Sequence, residues 1–263
     1  MIDLGEARVV VTGAGGGVGR ALCATLARLG AQVIACDVPE ADLSAQAEAY
    51  HFDLRDRAAI LKAADSILAN GTPSVVISNA GWTRAETFQL CTPDVVEDEL
   101  TRNFTGAAHF TQAFLPAMRA GSGNRAFVFV SSVNALTHHG NPPYSAAKAA
   151  MLAWSRAIAV EEGRHGIRSN AVIPASIRTA AWEHRLQADP AILDKLAAIY
   201  PLGRIVTTDE VAARGFAADT VRWVAHKVET NEYKRQQAAP GIKVTSKAFG
   251  IGRRVPIAQK FRA

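Results

Sequence analysis

A tyrosine and a lysine four residues apart, Tyr144 and Lys148, are the pair of side chains in this sequence best suited to proton transfer. On a helix, residues at this spacing lie on one face, one above the other. A free phenol has a pKa near ~10, but an ammonium group a few ångströms away favours the phenolate and lowers that pKa. The pair predicts a general acid/base at Tyr144, and Ser132, twelve residues earlier, is placed to hold a substrate oxygen. Because this spacing also arises by chance in helices, the prediction depends on the sequence before it.

A glycine-rich loop near the start of the chain indicates a dinucleotide site. The run 8–12 is short, apolar and β-branched, as in a buried parallel strand, and apolar residues recur at helical spacing from Val18 to Leu29 before Gly30. A strand, a glycine loop and a helix in this order open a βαβ unit whose glycines let the backbone approach a pyrophosphate at the helix N-terminus. The predicted contacts are Gly13, Gly15, Gly17, Val18 and Gly19.

An aspartate, Asp37, ends the second predicted strand, residues 32–36. A carboxylate at this position accepts hydrogen bonds from the ribose hydroxyls of adenosine and repels a 2′-phosphate. No Lys or Arg stands inside the glycine loop or directly after Asp37, so the sequence favours NAD over NADP. In isolation, such an aspartate is also compatible with a simple turn. Asp53 and Leu54, after the third predicted strand, are placed to meet the adenine ring.

Strands and helices are predicted to alternate along most of the chain. Further strands are expected at 49–52, 74–78, 125–131 and 167–173, and helices at 40–48, 58–68, 92–119 and from Pro142 or Pro143 onward. This alternation predicts an α/β fold with a Rossmann-like, doubly wound parallel sheet and helices on both faces. Ligands of such sheets bind beyond the carboxyl ends of the strands, where the candidate residues fall.

Several separated motifs between residues 5 and 213 resemble those of the short-chain dehydrogenase/reductase family. They are T-G-x-x-x-G-x-G at 12–19, N-A-G at 79–81, Asn103, Ser132, Tyr144, Lys148, N-x-x-x-P at 170–174, and Thr179. The resemblance implies hydride transfer between a nicotinamide cofactor and a secondary alcohol or ketone, in an enzyme that forms homo-oligomers.

The resemblance also implies a role for each matching residue. Tyr144 would exchange a proton with the substrate, and Lys148 would lower its pKa and bind the nicotinamide ribose. Ser132 would orient the substrate oxygen, and Asn103 would hold a water that links Lys148 to solvent. The residues that would line the cofactor are Asn79, Ala80, Gly81 and Pro174, with the Ile177 backbone and Thr179 on its carboxamide.

The C-terminal part of the chain departs from the family pattern. Residues 1–213 carry 18 Lys+Arg and 21 Asp+Glu, whereas residues 214–263 carry 11 and 3, so the overall charge of +5 arises in the last fifty residues. Alanine stands at 175 where the family usually has glycine, and the family's last strand, ending near Val-Asp-Gly-Gly, is absent. From about Gly215 the chain instead resembles the C-terminal tail of NAD synthetases, although their S-G-G-x-D-S loop is missing, which argues against ligase activity. We therefore expect a dinucleotide-binding and catalytic domain over 1–213 and a basic extension of foreign type over 214–263.

The sequence supports three functional hypotheses. The first is an NAD-dependent alcohol dehydrogenase or ketone reductase, which we favour. The alternative is an NAD-binding protein whose catalysis is weak or lost because of the replaced C-terminus. Nucleic-acid binding through the basic tail is a third reading, which we do not favour because no nucleic-acid-binding motif accompanies it.

The sequence also indicates where in the cell the protein is expected. It shows no basic leader and no run of about 18 apolar residues, so we expect a cytoplasmic protein without a membrane span. The three cysteines, Cys23, Cys36 and Cys91, follow no metal-binding or disulfide pattern, and for Cys23 and Cys36 we expect buried free thiols.

Overall fold

Strands and helices alternate in the computed structural model, which describes residues 4–5, 7–84, 87–179, 182–198 and 203–207. The strands are β1 (Arg8–Thr12), β2 (Gln32–Asp37), β3 (Glu48–His51), β4 (Val75–Ser78), β5 (Arg125–Val130), β6 (Ile167–Val172), β7 (Ile177–Arg178) and β8 (Val206–Thr207). The α-helices are α1 (Gly17–Arg28), α2 (Arg57–Ala69), α3 (Pro93–Leu100), α4 (Gly106–Ala120), α5 (Pro142–Glu162), α6 (Glu183–Ala188) and α7 (Ile192–Ala197).

Six of the strands form one parallel sheet in the order β3-β2-β1-β4-β5-β6, and β7 pairs with β8 in a separate parallel pair. The chain runs outward from β1 in one direction through β2 and β3, then returns to β4 on the other side of β1. This reversal confirms the predicted doubly wound, Rossmann-like fold. It also places the ends of β1 and β4 at the switch point of the sheet, where such folds bind their ligands.

The sheet is covered by apolar side chains on both faces, because neighbouring residues of a strand point to opposite sides. On β1, Val10 joins a core packed against α2, α4 and α5, whereas Val9 and Val11 join a second core packed against α1. The first core is rich in aromatic residues, including Phe110, Phe114, Phe127 and Phe129. Cys23 and Cys36 are buried in these cores as free thiols, which confirms the prediction, and Cys91 is a partly exposed free thiol.

The predicted helix over residues 40–48 is wrong. The chain crosses from β2 to β3 through turns alone, and β3 already begins at Glu48. The backbone N–H and the hydroxyl of Ser44 both donate to the Asp42 carboxylate, at 3.0 and 2.6 Å, which stabilises a local turn instead of a helix. Leu43 is 5% exposed and holds this short connection against the α1-side core.

The predicted long helix over residues 92–119 is confirmed with one interruption. Thr92 caps its start by accepting a hydrogen bond from the Val95 N–H at 3.3 Å. A π-helical turn, Thr101–Thr105, separates α3 from α4. Such turns insert an extra residue and often mark functional positions, and this one contains Asn103.

The predicted basic extension, residues 214–263, and the boundary proposed before it lie outside the described residues. Among the helices that the structure does describe, none is both long enough and apolar enough to cross a membrane.

Candidate active site

The glycine loop between β1 and α1 brings backbone against backbone at the switch point of the sheet. Gly13 has a φ of +67°, and a Cβ at this position would lie 2.8 Å from the Cα of Ala80. A Cβ on Gly19 would overlap the Gly13 carbonyl oxygen, at 1.9 Å. No side chain of the described residues caps the N-terminus of α1, so its first N–H groups point into the loop, as an anionic pyrophosphate requires.

Asp37, the last residue of β2, is held against this loop by both of its carboxylate oxygens. Oδ2 accepts from the Gly15 N–H and Oδ1 from the Val38 N–H, each at 2.8 Å. The carboxylate is thus fixed beside the glycine loop, in the position from which it would bind ribose hydroxyls. Sequence analysis missed one basic group here: the Arg20 Nε donates to the Gly15 carbonyl at 2.6 Å.

Asn79 ties the end of β4 to the end of β1. Its side-chain Nδ2 donates to the carbonyls of Thr12 and Gly13, at 3.0 and 3.2 Å. The Thr12 hydroxyl in turn accepts from the N–H groups of Asn79 and Ala80, at 3.1 and 3.2 Å. These bonds bring the N-A-G segment and the glycine loop together at the switch point of the sheet.

Asn103 lies in the π-helical turn and is fully buried. Its Oδ1 accepts from the Trp82 N–H at 2.9 Å, and its Nδ2 donates to the carbonyls of Trp82 and Glu99, at 2.6 and 2.8 Å. The side chain therefore clamps the loop after β4. Because both polar ends of the side chain already bind backbone groups, the water that the resemblance assigns to Asn103 would need a main-chain partner.

Lys148 places a buried ammonium group in the site. It is 2% exposed, and its Nζ donates to the Val130 carbonyl at 2.9 Å. Its Nζ also lies 5.6 Å from the centroid of the Tyr144 ring, one helical turn earlier on α5. Burial lowers the pKa of Lys148 from 10.5 to about 8. The two residues predicted to act together are therefore neighbours on one face of α5.

The end of β5 joins this pair. The hydroxyl of Ser131 donates to the Lys148 carbonyl at 2.9 Å, which fixes α5 against the strand. The next residue, Ser132, is 9% exposed, and its Oγ accepts from the Asn134 N–H at 3.2 Å. Since the Ser132 oxygen acts as an acceptor in that bond, its proton remains available for a substrate oxygen.

Gly81 is the point at which the loop after β4 meets helix α5. A Cβ on Gly81 would lie 3.4 Å from both the Asn103 Oδ1 and the Lys148 Nζ. The structure thus brings together Asn103, Lys148 and the N-A-G segment, which lie far apart in the sequence. A side chain at Gly81 would crowd the buried ammonium.

The segment after β6 returns to the glycine loop. The Val133 N–H donates to the Pro174 carbonyl at 3.1 Å, beside Ser132. Further along, the side chain of Thr179 lies 3.0 Å from the position of a Cβ on Gly17. Pro174 and Thr179 therefore border the Ser132 end and the glycine-loop end of the site. The carbonyl of Ile177, which lies between them in the sequence, accepts a hydrogen bond from the Trp182 indole at 2.9 Å.

Asp53 and Leu54 lie at the same edge of the sheet, but the Asp53 carboxylate already has a partner. Arg55 binds it through two nitrogens, the closest contact being 2.6 Å, and this lowers the pKa of Asp53. The Leu54 carbonyl packs against Gly106, at the start of α4. We therefore expect adenine to contact Leu54 or the backbone of this segment rather than the Asp53 carboxylate.

A family model described as short chain dehydrogenase matches residues 7–190 of the chain. The chain belongs to the short-chain dehydrogenase family. An uncharacterized oxidoreductase of Schizosaccharomyces pombe is 34% identical to this family member over 224 residues, which is 82% of this chain and 85% of the relative. The (3R)-3-hydroxyacyl-CoA dehydrogenase of Canis lupus familiaris is 31% identical over 231 residues, 80% of this chain and 88% of the relative.

Solved structures show the same similarity to this short-chain dehydrogenase. An oxidoreductase of the family from Burkholderia thailandensis matches with a TM-score of 0.72 at 34% identity, covering 79% of this chain and 83% of that one. A protein of Beutenbergia cavernae described as an NAD(P)-dependent gluconate 5-dehydrogenase, with NADP bound at low occupancy, matches with a TM-score of 0.74 at 29% identity, covering 80% and 88%. The chain is therefore an oxidoreductase of a family that uses nicotinamide dinucleotides.

Sequence analysis missed three residues beside Asn103 in this dehydrogenase. Thr83, Glu99 and Asn141 form a hydrogen-bonded group that links the loop after β4, helix α3 and the start of α5. One signal was available: Glu99 is four residues before Asn103, so a helix places both on one face. Its contacts with Thr83 and Asn141 depend on the tertiary fold.

Proposed function

We propose that this protein transfers a hydride between NAD(H) and a secondary alcohol or its ketone, with Tyr144 moving the proton. The observation that carries the proposal is the buried ammonium of Lys148, 5.6 Å from the Tyr144 ring centroid. Below a pH of about 8 this group is charged, and a nearby positive charge favours the phenolate over the phenol. A phenolate at the end of the sheet is a competent general base for an alcohol.

Each polar group of the site then has a task. In alcohol oxidation, the Tyr144 phenolate accepts the hydroxyl proton, and Ser132 donates a hydrogen bond to the same oxygen. Bound NAD supplies the hydride acceptor for the carbinol carbon. Lys148 stabilises the phenolate electrostatically. Two of its three N–H donors face the Val130 carbonyl and the Met151 sulfur, and the third would bind a ribose hydroxyl. In ketone reduction, the Tyr144 phenol returns the proton to the carbonyl oxygen.

The residues at the switch point fit a dinucleotide. The glycine loop and the uncapped start of α1 would hold the pyrophosphate, and Asp37 would accept the two ribose hydroxyls of adenosine. The carboxylate at Asp37 supports NAD over NADP, since a 2′-phosphate beside it would be repelled. The adenine would lie near Asp53 and Leu54, and the nicotinamide carboxamide near Pro174, Ile177 and Thr179.

We propose that the substrate is a small alcohol or ketone. Anionic compounds belong among the first to be tested. Arg84 and Arg178 are both exposed near the loops of the site, and a cation of this kind pairs well with a carboxylate or phosphate. The similarity to a (3R)-3-hydroxyacyl-CoA dehydrogenase points to the same choice. We also propose that the enzyme works as a homo-oligomer, which size-exclusion chromatography with light scattering would test.

The proposal is tested by following NADH absorbance with a panel of polyols, hydroxy acids, hydroxysteroids and 3-hydroxybutyryl-CoA, with NAD and with NADP. We expect turnover of at least one secondary alcohol, and higher kcat/KM with NAD. Tight NADH binding without turnover of any compound would instead support the alternative, a nucleotide-binding protein with lost catalysis. Failure to bind NADH would contradict both.

A further inference from the structure

A fully buried carboxylate, Glu99, lies one helical turn before Asn103 and is assigned no role by the proposed mechanism. Its Oε1 and Oε2 accept from the Thr83 hydroxyl, at 3.1 and 3.0 Å, and Oε1 also accepts from the Arg84 N–H at 2.7 Å. Burying a carboxylate is costly unless it is well hydrogen-bonded. Glu99 and Asn103 together thus grip three consecutive residues of the loop after β4.

The same hydroxyl reaches the catalytic helix. The Thr83 Oγ1 lies 3.2 Å from the Oδ1 of Asn141, the residue immediately before α5. The single proton of the Thr83 hydroxyl is shared between the Glu99 carboxylate and the Asn141 Oδ1, so Thr83 connects helix α3 to the start of α5.

Asn141 has an unusual backbone conformation. Its φ of +53° makes it the single non-glycine residue with positive φ in the described part of the chain, and it is 8% exposed. A left-handed residue of this kind costs on the order of 1 kcal/mol and persists where its surroundings hold it. Its carbonyl accepts from both the N–H and the hydroxyl of Ser145, each at 2.9 Å. The conformation of Asn141 therefore sets the direction in which the first turn of α5 starts.

That first turn carries Tyr144, three residues after Asn141. The rest of the helix is fixed at Lys148 by Ser131 and Val130. The start of α5 is held by Asn134, which follows β5 and whose Nδ2 donates to the Ser145 Oγ at 3.3 Å, and the contact of Thr83 with Asn141 holds it from the loop after β4. A shift of this turn would move the phenol relative to Lys148 and Ser132.

We propose that Glu99 and Thr83 are positioning residues for Tyr144, acting through Asn141 to fix the first turn of α5. The inference rests on the proposed role of Tyr144 as acid/base. It predicts that loss of the Thr83 hydroxyl changes the environment of the phenol, while the dinucleotide site, built on the glycine loop and Asp37, keeps its affinity.

The test compares Thr83→Val, which removes the hydroxyl at nearly constant volume, with Thr83→Ser, which keeps it. The ionisation of Tyr144 is read from tyrosinate absorbance at 295 nm, each protein being compared with its own Tyr144→Phe partner. We expect the Tyr144 transition of Thr83→Val to move toward the free-phenol value near ~10, with Thr83→Ser close to wild type. NADH affinity, measured by fluorescence, should stay within twofold in both variants.

Turnover provides a second readout. The substrate is the alcohol that wild type oxidises fastest in the panel above. The kcat of Thr83→Val should fall about tenfold, because a small displacement of a reacting group lowers the catalytic rate strongly. Thr83→Ser should restore kcat. Should Thr83→Val fail to fold, Asn141→Gly replaces it, since glycine accepts the positive φ without strain. Its Tyr144 transition should move in the same direction as that of Thr83→Val.

An unchanged Tyr144 transition in Thr83→Val, or in Asn141→Gly where that variant replaces it, would overturn the inference. Equal losses of NADH affinity and kcat that Thr83→Ser does not restore would also overturn the inference, because they would indicate a general structural role for Thr83. The absorbance titration needs no substrate. Its result is therefore separate from a failure of the proposed function, which would appear as absent turnover in wild type.

Discussion

Replacing Lys148 with methionine should make the protein more stable while destroying its activity. Methionine is unbranched and apolar and fits a site that already contains Met151. Because burial lowers the pKa of Lys148 from 10.5 to about 8, the folded protein holds a charged ammonium at neutral pH against an unfavourable desolvation term. One pKa unit corresponds to about 1.4 kcal/mol, so this term is about 3 kcal/mol.

The lost hydrogen bond to the Val130 carbonyl reduces the gain. Such a bond from a charged group contributes about 2 kcal/mol, so the net increase in the free energy of unfolding for Lys148→Met at pH 7 is about 1 kcal/mol. For a chain of this size that corresponds to a rise in Tm of about 2–4 °C. The substitution also removes the charge beside Tyr144, so turnover should fall to background.

The sign of the pH dependence separates this cause from simple repacking. A lysine whose pKa is lowered by folding binds fewer protons in the folded than in the unfolded state between pH 8 and 10.5. The stability of wild type should therefore rise relative to Lys148→Met as the pH increases through that window. Below pH 8 the difference between the two proteins should be constant.

Urea unfolding followed by circular dichroism at pH 7, 9 and 10 measures this difference. The matched control is Lys62→Met, which replaces an exposed lysine of α2. The difference in the free energy of unfolding between this variant and wild type should be the same at all three pH values. If Lys148→Met were less stable than wild type at pH 7, or if its advantage did not shrink toward pH 10, the account of a desolvated ammonium would be refuted.

Two further predictions concern the cofactor end of the site. Asp37→Ala should lower the NAD-to-NADP preference in kcat/KM at least tenfold, because the repulsive carboxylate is gone and Arg20 lies at Gly15; the double variant Asp37→Ala/Arg20→Ala should lose the part of the NADP gain that Arg20 supplies. Asn79→Ala removes the bonds to the carbonyls of Thr12 and Gly13, so urea unfolding should show a loss of about 1–3 kcal/mol, and equal stability would contradict this role.

The strands and the glycine loop were predictable because their signals are local. Apolar runs such as residues 8–12 and 125–131 form buried parallel strands with few alternatives, and a glycine loop between a strand and a helix has one common use. Asp37 was predictable for the same reason, since it ends a strand next to that loop. In each case neighbouring residues in the sequence determine the conformation.

The predictions fail where contacts between residues distant in the sequence determine the local structure. The helix predicted over 40–48 competes with a connection that has room only for turns, and the Asp42–Ser44 bonds take its place. The contact of Thr83 with Asn141 joins residues 58 apart in the sequence, and no spacing rule reveals it. The left-handed conformation of Asn141 is likewise set by its neighbours in space.

In the proposed reaction Tyr144 exchanges the proton, whereas the dinucleotide gains most of its affinity from the glycine loop and Asp37. The most direct measurement compares Tyr144→Phe with wild type for two quantities, kcat with an alcohol that wild type oxidises and the Kd of NADH by fluorescence. We expect Tyr144→Phe to lose turnover and to keep NADH affinity within about twofold, since the lost hydroxyl belongs neither to the glycine loop nor to the Asp37 carboxylate. Wild-type turnover in Tyr144→Phe would contradict it.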